Sequence, residues 1–576
     1  MSRPGMRRAA VGLTALAVAA LGAVATTGEQ ADARPKPVDV TLLALNDFHG
    51  NLEPPPSGSN GTIAGQTAGG VEYLATHLAE LRAAAKKKNT ITVAAGDLIG
   101  ASPLLSAAFH DEPTIEALSM AGLDYASVGN HEFDEGAAEL LRIQNGGCHP
   151  VDGCADGTPY RGAGFQYLSA NAFKTATGKP LMAPYAIHKV QGVKVGFIGM
   201  TLEGTPEIVS QQGVAGLTFA DEAETANRYA RELRRKGVQT IVVLLHEGGA
   251  QAATGGINDC VGMTGPIVDI ANRMDPSIDV VVSGHTHQAY NCNINGKLVT
   301  SASSFGRLVT DIDLKIDRHS GDVLSASANN VVVTRDVAKD PKQTALIDRY
   351  KTVLGPVAGR QVGETTTAIT KTQENLLDTC SAAVPASCGE SPLGNLIADA
   401  QLAATDDEQN AVAAFMNPGG VRANLDAGPV TYEEAFTVQP FANNLVTLDL
   451  TGAQLYCVLE QQFVTGRVLY PSSTVGYVVD LDGATAPTAD PCAGTRVVRG
   501  SLTIGGTTVD TAATYRVTVN NFLAGGGDGF SALTGGTNQV TGQIDLDAFV
   551  AYLTAQSPVS APTLDRIRTT AEVSAA

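Results

Sequence analysis

The chain has 576 residues, 44% of them hydrophobic, and 39 basic against 58 acidic side chains leave a net charge of −19. A single core stops growing at roughly 250–300 residues, so two or three domains are expected. The acidity is spread along the chain, which excludes a protein that grips nucleic acid along its phosphates with clustered Lys and Arg.

Residues 1–33 read as a signal peptide. Arg3, Arg7 and Arg8 precede the apolar run Ala9 to Ala25, and Ala31-Asp32-Ala33 offers a cleavage site. The run falls short of the roughly 20 strongly apolar residues that a membrane span needs. No cysteine precedes Cys148 to take a lipid, and the last residues form no hydrophobic tail. A secreted, extracellular protein without a membrane anchor is expected, exported by either the Sec or the twin-arginine route. In that compartment the eight cysteines are expected as disulfides, in the most local pairing: Cys148 with Cys154, Cys260 with Cys292, Cys380 with Cys388, and Cys457 with Cys492.

From Val38 onward, strands alternate with helices. The strand Val40 to Leu45 delivers Asn46-Asp47-Phe48-His49-Gly50, where Asp47 and His49, two apart, share one side of an extended chain. A helix over Val71 to Leu81 and a strand Ile91 to Ala95 lead to Gly96-Asp97. A helix over Glu116 to Met120 and an apolar run through Tyr125 and Val128 lead to Gly129-Asn130-His131-Glu132-Phe133-Asp134. Val193 to Gly199 is a further strand. Thr240 to Leu245 ends on His246-Glu247-Gly248, and Asp279 to Val282 ends on Ser283-Gly284-His285-Thr286-His287. The alternation predicts an α/β fold whose strand ends form the site.

Five strand ends thus carry Asp47 and His49, Asp97, Asn130 and His131, His246, and His285 and His287, each with a glycine beside it. Mixed oxygen and imidazole donors without thiolate suit Zn, Mn or Fe, and not a structural zinc cage or calcium. Seven ligands are too many for one tetrahedral ion, so two divalent metals sharing a carboxylate are expected.

In this order, Asp-x-His, Gly-Asp, Gly-Asn-His-Glu, His-Glu and Gly-His-x-His resemble the pattern of calcineurin-like metallophosphoesterases, and Asn-His-Glu-Phe-Asp resembles the 5′-nucleotidase group. The resemblance implies a four-layer α/β-β/α catalytic sandwich over residues 38–338. It also implies Asp47, His49 and His287 on one metal, Asn130, His246 and His285 on the other, and Asp97 as the bridge. His131, beside a ligand, is then free to stabilise the transferring phosphoryl group or to protonate the leaving group, with Asp134 holding its tautomer.

Leu346, Ile347, Tyr350, Val353 and Leu354 recur at helical spacing, so residues 339–359 are expected as a helix linking two domains, ended by Gly355-Pro356. Rotation of the domains about that helix is expected. In the second α/β domain, residues 360–570, Leu445 to Leu450 reads as a strand and Thr451-Gly452-Ala453-Gln454 as a capping box. Tyr515 to Val519 is a late strand that leads into a Gly-rich loop. This half is similar to the substrate-binding domain of 5′-nucleotidases in Gly394 to Ala400, Asn417 to Arg422, Pro440-Phe441 and Phe522 to Asp528. The resemblance implies that Phe441 and Phe522 sandwich a base, that Asp528 contacts the ribose, and that Asn417 and Arg422 hold the phosphate. One feature departs from the family: Thr379 to Glu390 contains no arginine, and Asn395 rather than a basic residue precedes Leu396.

The expected function is a secreted phosphohydrolase releasing phosphate from nucleoside 5′-monophosphates. A 2′,3′-cyclic phosphodiesterase/3′-nucleotidase or a UDP-sugar hydrolase of the same family is the alternative within that class. A non-catalytic extracellular nucleotide-binding protein is the alternative of another class.

Overall fold

The strand Val38–Leu45 sits in the middle of a six-stranded sheet because it is apolar on both faces, as a strand covered on both sides must be. Val40, Leu42 and Ala44 face a second sheet, while Leu43 and Leu45 face helices. In this computed structural model, residues 36–55, 61–85, 89–210, 212–371, 389–487, 489–570 and 573 are described. The expected signal peptide and the Cys380–Cys388 pair lie outside them. Among the described residues no helix is long and apolar enough to cross a membrane.

The first sheet runs, strand by strand, Val323–Val332, Leu308–Ile316, Val38–Leu45, Thr90–Ala95, Tyr125–Ser127 and Gln166–Leu168. The second runs Ala289–Ile294, Lys297–Ala302, Val280–Ser283, Thr240–His246, Val193–Thr201 and Tyr185–Val190. Val242 and Leu244 of the second sheet meet Val40, Leu42, Ile91 and Val93 of the first, closing an apolar interior between the sheets. The outer faces are covered by Val71–Ala84, Glu112–Met120 and Ala137–Asn145 on the first sheet, and by Glu222–Arg235 and Pro266–Arg273 on the second. This is the expected four-layer α/β-β/α sandwich.

The topology places the site. Val38–Leu45, Thr90–Ala95 and Tyr125–Ser127 are parallel neighbours, as are Thr240–His246 and Val280–Ser283. Their C-terminal ends therefore open at common sheet edges, where loops rather than ladders satisfy the backbone.

The helix Pro341–Ala358 begins at Asp340, whose carboxylate caps Lys342 N and Gln343 N. It runs through Gly355-Pro356 to Ala358, beyond the stop expected from the sequence. Proline removes one bond, to the carbonyl four residues back, and near a helix end that loss is tolerated while Leu354 and Ala358 stay buried. Leu346, Ile347, Tyr350 and Leu354 pack into the core under the first sheet, and Gln343 Nε2 donates to Ala117 O at 2.9 Å. The helix is thus anchored on the four-layer sandwich along most of its length.

The C-terminal half carries a five-stranded sheet in the order Tyr470–Pro471, Ala413–Met416, Thr514–Asn520, Asn444–Thr451, Thr537–Ile544. Pro392–Ala403 and Asp545–Gln556 cover one face and Gly452–Thr465 the other. That last helix starts with the predicted capping box, in which Thr451 and Gln454 satisfy each other's backbone N–H. Disulfides join Cys148 to Cys154, Cys260 to Cys292 and Cys457 to Cys492.

Candidate active site

Five of the seven predicted metal ligands occupy left-handed backbone: Asp47 (φ 49°), His49 (φ 45°), Asp97 (φ 48°), His285 (φ 71°) and His287 (φ 55°). Such a conformation costs roughly 1–2 kcal/mol per non-glycine residue and is best tolerated by Asp, Asn and His. The chain turns back at each strand end so that these side chains converge, and cross-loop bonds hold the turns. Asp47 N donates to Gly96 O at 3.1 Å, His49 N to Asp97 O at 3.0 Å, and Phe305 N to Asp47 O at 2.7 Å. Glycine is required where the loops touch: a Cβ at Gly129 would lie 2.1 Å from Asp97 Oδ1.

Donor atoms of Asp47, His49 and His287 lie within 4.8 Å of one another, as do those of Asp97, His246 and His285, and a third cluster of His49, Asp97 and His131 links the two. In the first, His287 Nε2 lies 3.2 Å from His49 Nε2 and 3.5 Å from Asp47 Oδ1. In the second, His246 Nε2 lies 2.9 Å from Asp97 Oδ2 and 3.1 Å from Asn130 Oδ1. The same Asp97 Oδ2 is 3.6 Å from His49 Nε2, so this one oxygen faces both groups.

The imidazoles are held from behind. His49 Nδ1 donates to Gly100 O at 2.9 Å and His246 Nδ1 to Ala95 O at 2.7 Å, which turns each Nε2 into the site. Burial opposes a charge on His246, but Asp97 beside its Nε2 raises it to about 10, so a cation bound there would displace a proton from that ring. Burial pushes His49 and His285 down to about 3 and His287 down as well, so these rings are neutral bases. Burial, with the Asp97 charge beside it, raises Asp47 to about 7 against the His246 charge and the hydrogen bonds from the Asn46 amide and the His285 backbone. Neutral imidazole lone pairs directed toward buried carboxylates form a pocket that a divalent cation fits, and the absence of thiolate agrees with Zn or Mn.

His131 stands beside this pocket. Its Nδ1 is 2.7 Å from Asp134 Oδ2, and its backbone N–H donates to Asp97 Oδ1 at 2.9 Å. Burial opposes a charge on the ring, but Asp134 and Asp97 together raise it above the ordinary imidazole value.

Residues of the C-terminal half meet the same loops. Phe441 lies over His131 with ring centroids 5.7 Å apart, and the Arg422 guanidinium is 5.7 Å from the Phe441 ring. Arg422 N donates to Val438 O, which ties the Asn417 to Arg422 turn to the helix before Phe441. Asn417 Nδ2 donates to Asp528 Oδ2 at 2.9 Å, and Asn417 Oδ1 accepts from Asn520. Phe522 is half-buried and packs on the core of the C-terminal sheet near Gly527.

Comparison with known proteins agrees with this geometry. Residues 40–289 match the calcineurin-like phosphoesterase family and residues 362–535 the 5′-nucleotidase C-terminal domain. The chain is 35% identical over 524 residues to Endonuclease YhcR of Bacillus subtilis, covering 90% of this chain and 40% of that protein's length. It is 31% identical over 559 residues to the cell wall protein Lmo0130 of Listeria monocytogenes, covering 92% of this chain and 69% of that one.

The chain belongs to the 5′-nucleotidase family.

It is a metal-dependent phosphoester hydrolase of that family. Its fold superposes on the 5′-nucleotidase precursor of Thermus thermophilus with a TM-score of 0.72 at 28% identity, over 92% of this chain and 99% of that one.

Three residues of this 5′-nucleotidase-family site escaped the sequence reading. Glu132, fully buried, accepts N–H bonds from Asp97 (3.0 Å), Leu98 (2.9 Å) and Gly129, locking the Asp97 and Asn130 loops together. Asn46 bridges Asp47, Ser303 O and Ala302 N, fixing the Asp47 turn to the second sheet. Arg467 donates to Asp528 Oδ1 at 2.7 Å, and its charge is among those that hold His285 down after burial and His246. The signal for Glu132 lay in the Asn-His-Glu-Phe-Asp motif itself. Arg467 follows the helix Gly452–Thr465 with no local pattern to mark it.

Proposed function

We propose that this protein is an exported phosphohydrolase that releases phosphate from nucleoside 5′-monophosphates at a centre of two divalent ions. In this reading residues 38–338 form the catalytic domain, 339–359 the linking helix and 360–570 the substrate-binding domain. The observation that carries it is the position of Asp97 Oδ2, facing both His49 and His246, with Arg422 and Phe441 of the C-terminal half set against the same loops.

Asp47, His49 and His287 would hold one ion, Asn130, His246 and His285 the other, and Asp97 both. Divalent ions bound there would supply Lewis acidity to an attacking water and to the phosphoryl oxygens. The side chains do the rest. Arg422, whose charge reaches His49, His131 and His287, holds the phosphate, and Arg467 on the His285 side adds a second cation where the family's usual arginine is missing from the sequence. Asp528, fixed by Asn417 and Arg467, accepts a ribose hydroxyl. Phe441 and Phe522 stack on the base. Water oxygen bonds to phosphorus, the P–O5′ bond breaks, and His131, oriented by Asp134, gives its proton to the departing O5′.

The test is phosphate release from AMP, a 3′-nucleotide, a 2′,3′-cyclic nucleotide, a UDP-sugar and an aryl phosphate, with chelator and with Mn or Zn restored. Metal-dependent release favouring AMP is expected. Preference for cyclic or sugar-linked substrates would move the assignment to those members of the family, and binding without turnover under any metal would make the protein a nucleotide carrier.

A further inference from the structure

His287 is held differently from His49 and His246. Those two rings each give Nδ1 to a backbone carbonyl, at 2.9 and 2.7 Å. Among the described residues no group hydrogen-bonds to Nδ1 of His287, and its side chain is 29% exposed where that of His49 is 1% exposed. What its ring meets is Phe305. The two centroids are 5.3 Å apart with planes at 77°, and Phe305 lies 6.0 Å from His49 at 62°. His49 and His287 are themselves 5.1 Å apart, so three rings close on one another edge to face. Contacts of this kind are favourable and favour one orientation of each ring.

The backbone holds Phe305 there against its own preference. Phe305 has φ 61° and Ser303 φ 59°, left-handed values that a bulky residue takes only where its surroundings enforce them. Phe305 N donates to Asp47 O at 2.7 Å and Asn46 Nδ2 to Ser303 O at 2.6 Å, which ties residues 303–307 to the turn carrying Asp47. Ser303 Oγ donates to His287 O at 3.2 Å, which ties them to the turn carrying His287. Gly306 passes so close to Phe48 that a Cβ would lie 2.9 Å from its ring. The buried Arg307 guanidinium spans the segment. Its Nη2 donates to Ser303 Oγ (3.0 Å) and Ser304 Oγ (2.8 Å), its Nε to Ser304 O (3.0 Å), and its Cζ is 5.3 Å from the centre of the Phe305 ring.

We propose that Phe305, held by Arg307, is the positioning residue for His287 and sets how tightly the Asp47, His49 and His287 side of the pocket keeps a divalent ion, an inference that rests on those three being ligands. A partner that orients a metal-binding imidazole is worth about 10–100-fold in affinity, and here an aromatic wall takes the place of the usual hydrogen bond. The His246 side is oriented through Ala95 O and keeps its own affinity.

The experiment is a Mn titration of the metal-free full-length protein, with unbound Mn counted by its electron paramagnetic resonance signal. It compares wild type, His287→Ala, Phe305→Gly, Phe305→Leu and Phe305→Tyr. Loss of a ligand in His287→Ala marks which dissociation constant belongs to that side. Phe305→Gly relaxes the left-handed backbone but removes the ring, and is expected to raise that same constant about 10–100-fold while leaving the other unchanged. Phe305→Leu keeps apolar bulk without a flat ring and is expected to raise it less, which keeps the test open should Phe305→Gly fold poorly. Phe305→Tyr keeps the ring and is expected to hold the wild-type value. Phosphate release in Phe305→Gly is expected to need correspondingly more Mn and to recover most of its kcat at saturation, which a damaged fold would not. Unchanged constants in both Phe305→Gly and Phe305→Leu would overturn the proposal, and so would an equal rise of both constants. If wild type holds one ion, the two-ion reading fails while the single constant still decides. Its rise in Phe305→Gly but not in Phe305→Tyr supports the positioning role, and its constancy overturns it.

Discussion

Phe441 lies nearly parallel to His131, with planes 19° apart and ring centroids separated by 5.7 Å, although the two are 310 positions apart in the chain. The contact brings an aromatic face of the C-terminal half to the residue proposed as general acid. If Phe441 holds the base, Phe441→Ala removes stacking worth about 1–3 kcal/mol. KM for a nucleoside monophosphate is then expected to rise about 10–100-fold, while KM for an aryl phosphate rises much less. A uniform fall in kcat on both substrates would assign Phe441 to supporting His131 instead.

The His131–Asp134 pair predicts a pH shift. Burial opposes protonation of His131, and Asp134, followed by Asp97, raises it above the ordinary histidine value. The ring must be protonated to act as an acid, so activity falls as pH rises through its pKa. Asp134→Asn removes the largest raising influence and is expected to move the alkaline limb of kcat to lower pH. His131→Ala is expected to lower kcat by about 10²–10⁴. An alkaline limb that stays in place in Asp134→Asn would remove His131 from that role.

Much of the centre was legible in the sequence because Asp47, Asp97, Asn130, His246 and His285 each end an apolar run at a glycine, and parallel strands gather such ends at one edge. The left-handed turns that aim them were not legible, because Asp and His take that conformation only where bonds such as His49 N to Asp97 O hold it. Arg467 was invisible for a different reason. Its partner Asp528 is 61 residues away, and no periodicity links a residue after a helix to a Gly-rich loop. The spacing of Leu346, Ile347, Tyr350 and Leu354 marks the helix, but its continuation past Pro356 and its burial against Ala117 and the first core depend on tertiary packing. Tyr432 and Phe436 of the C-terminal half also pack on that core, so the expected rotation would have to separate them.

Asp97 is the side chain on which both groups of donors depend. Asp97→Asn keeps the shape but removes the charge shared by His49 and His246. Since loss of a residue that merely orients a ligand costs about 10–100-fold in metal affinity, a larger loss is expected here. Metal content and phosphate release should fall together and recover only in part at high Mn. Full metal content in Asp97→Asn would contradict a bridging role.

Glu132 predicts a stability effect distinct from chemistry. Its buried carboxylate accepts from the backbones of Asp97, Leu98 and Gly129 and from the Tyr167 hydroxyl, and burial followed by the nearby Asp97 charge raises it to about 7. Glu132→Gln turns an amide NH2 against N–H groups that need an acceptor, and a buried donor left unsatisfied costs about 1–3 kcal/mol. A lower melting temperature is expected, together with weaker metal binding as the Asp97 and Asn130 loops drift apart. Tyr167→Phe, which removes one neutral donor at 3.3 Å, is expected to cost under about 1.5 kcal/mol and to leave metal binding intact. Equal losses in the two variants would place the effect in the core around Tyr167 and not in the clamp on the two loops.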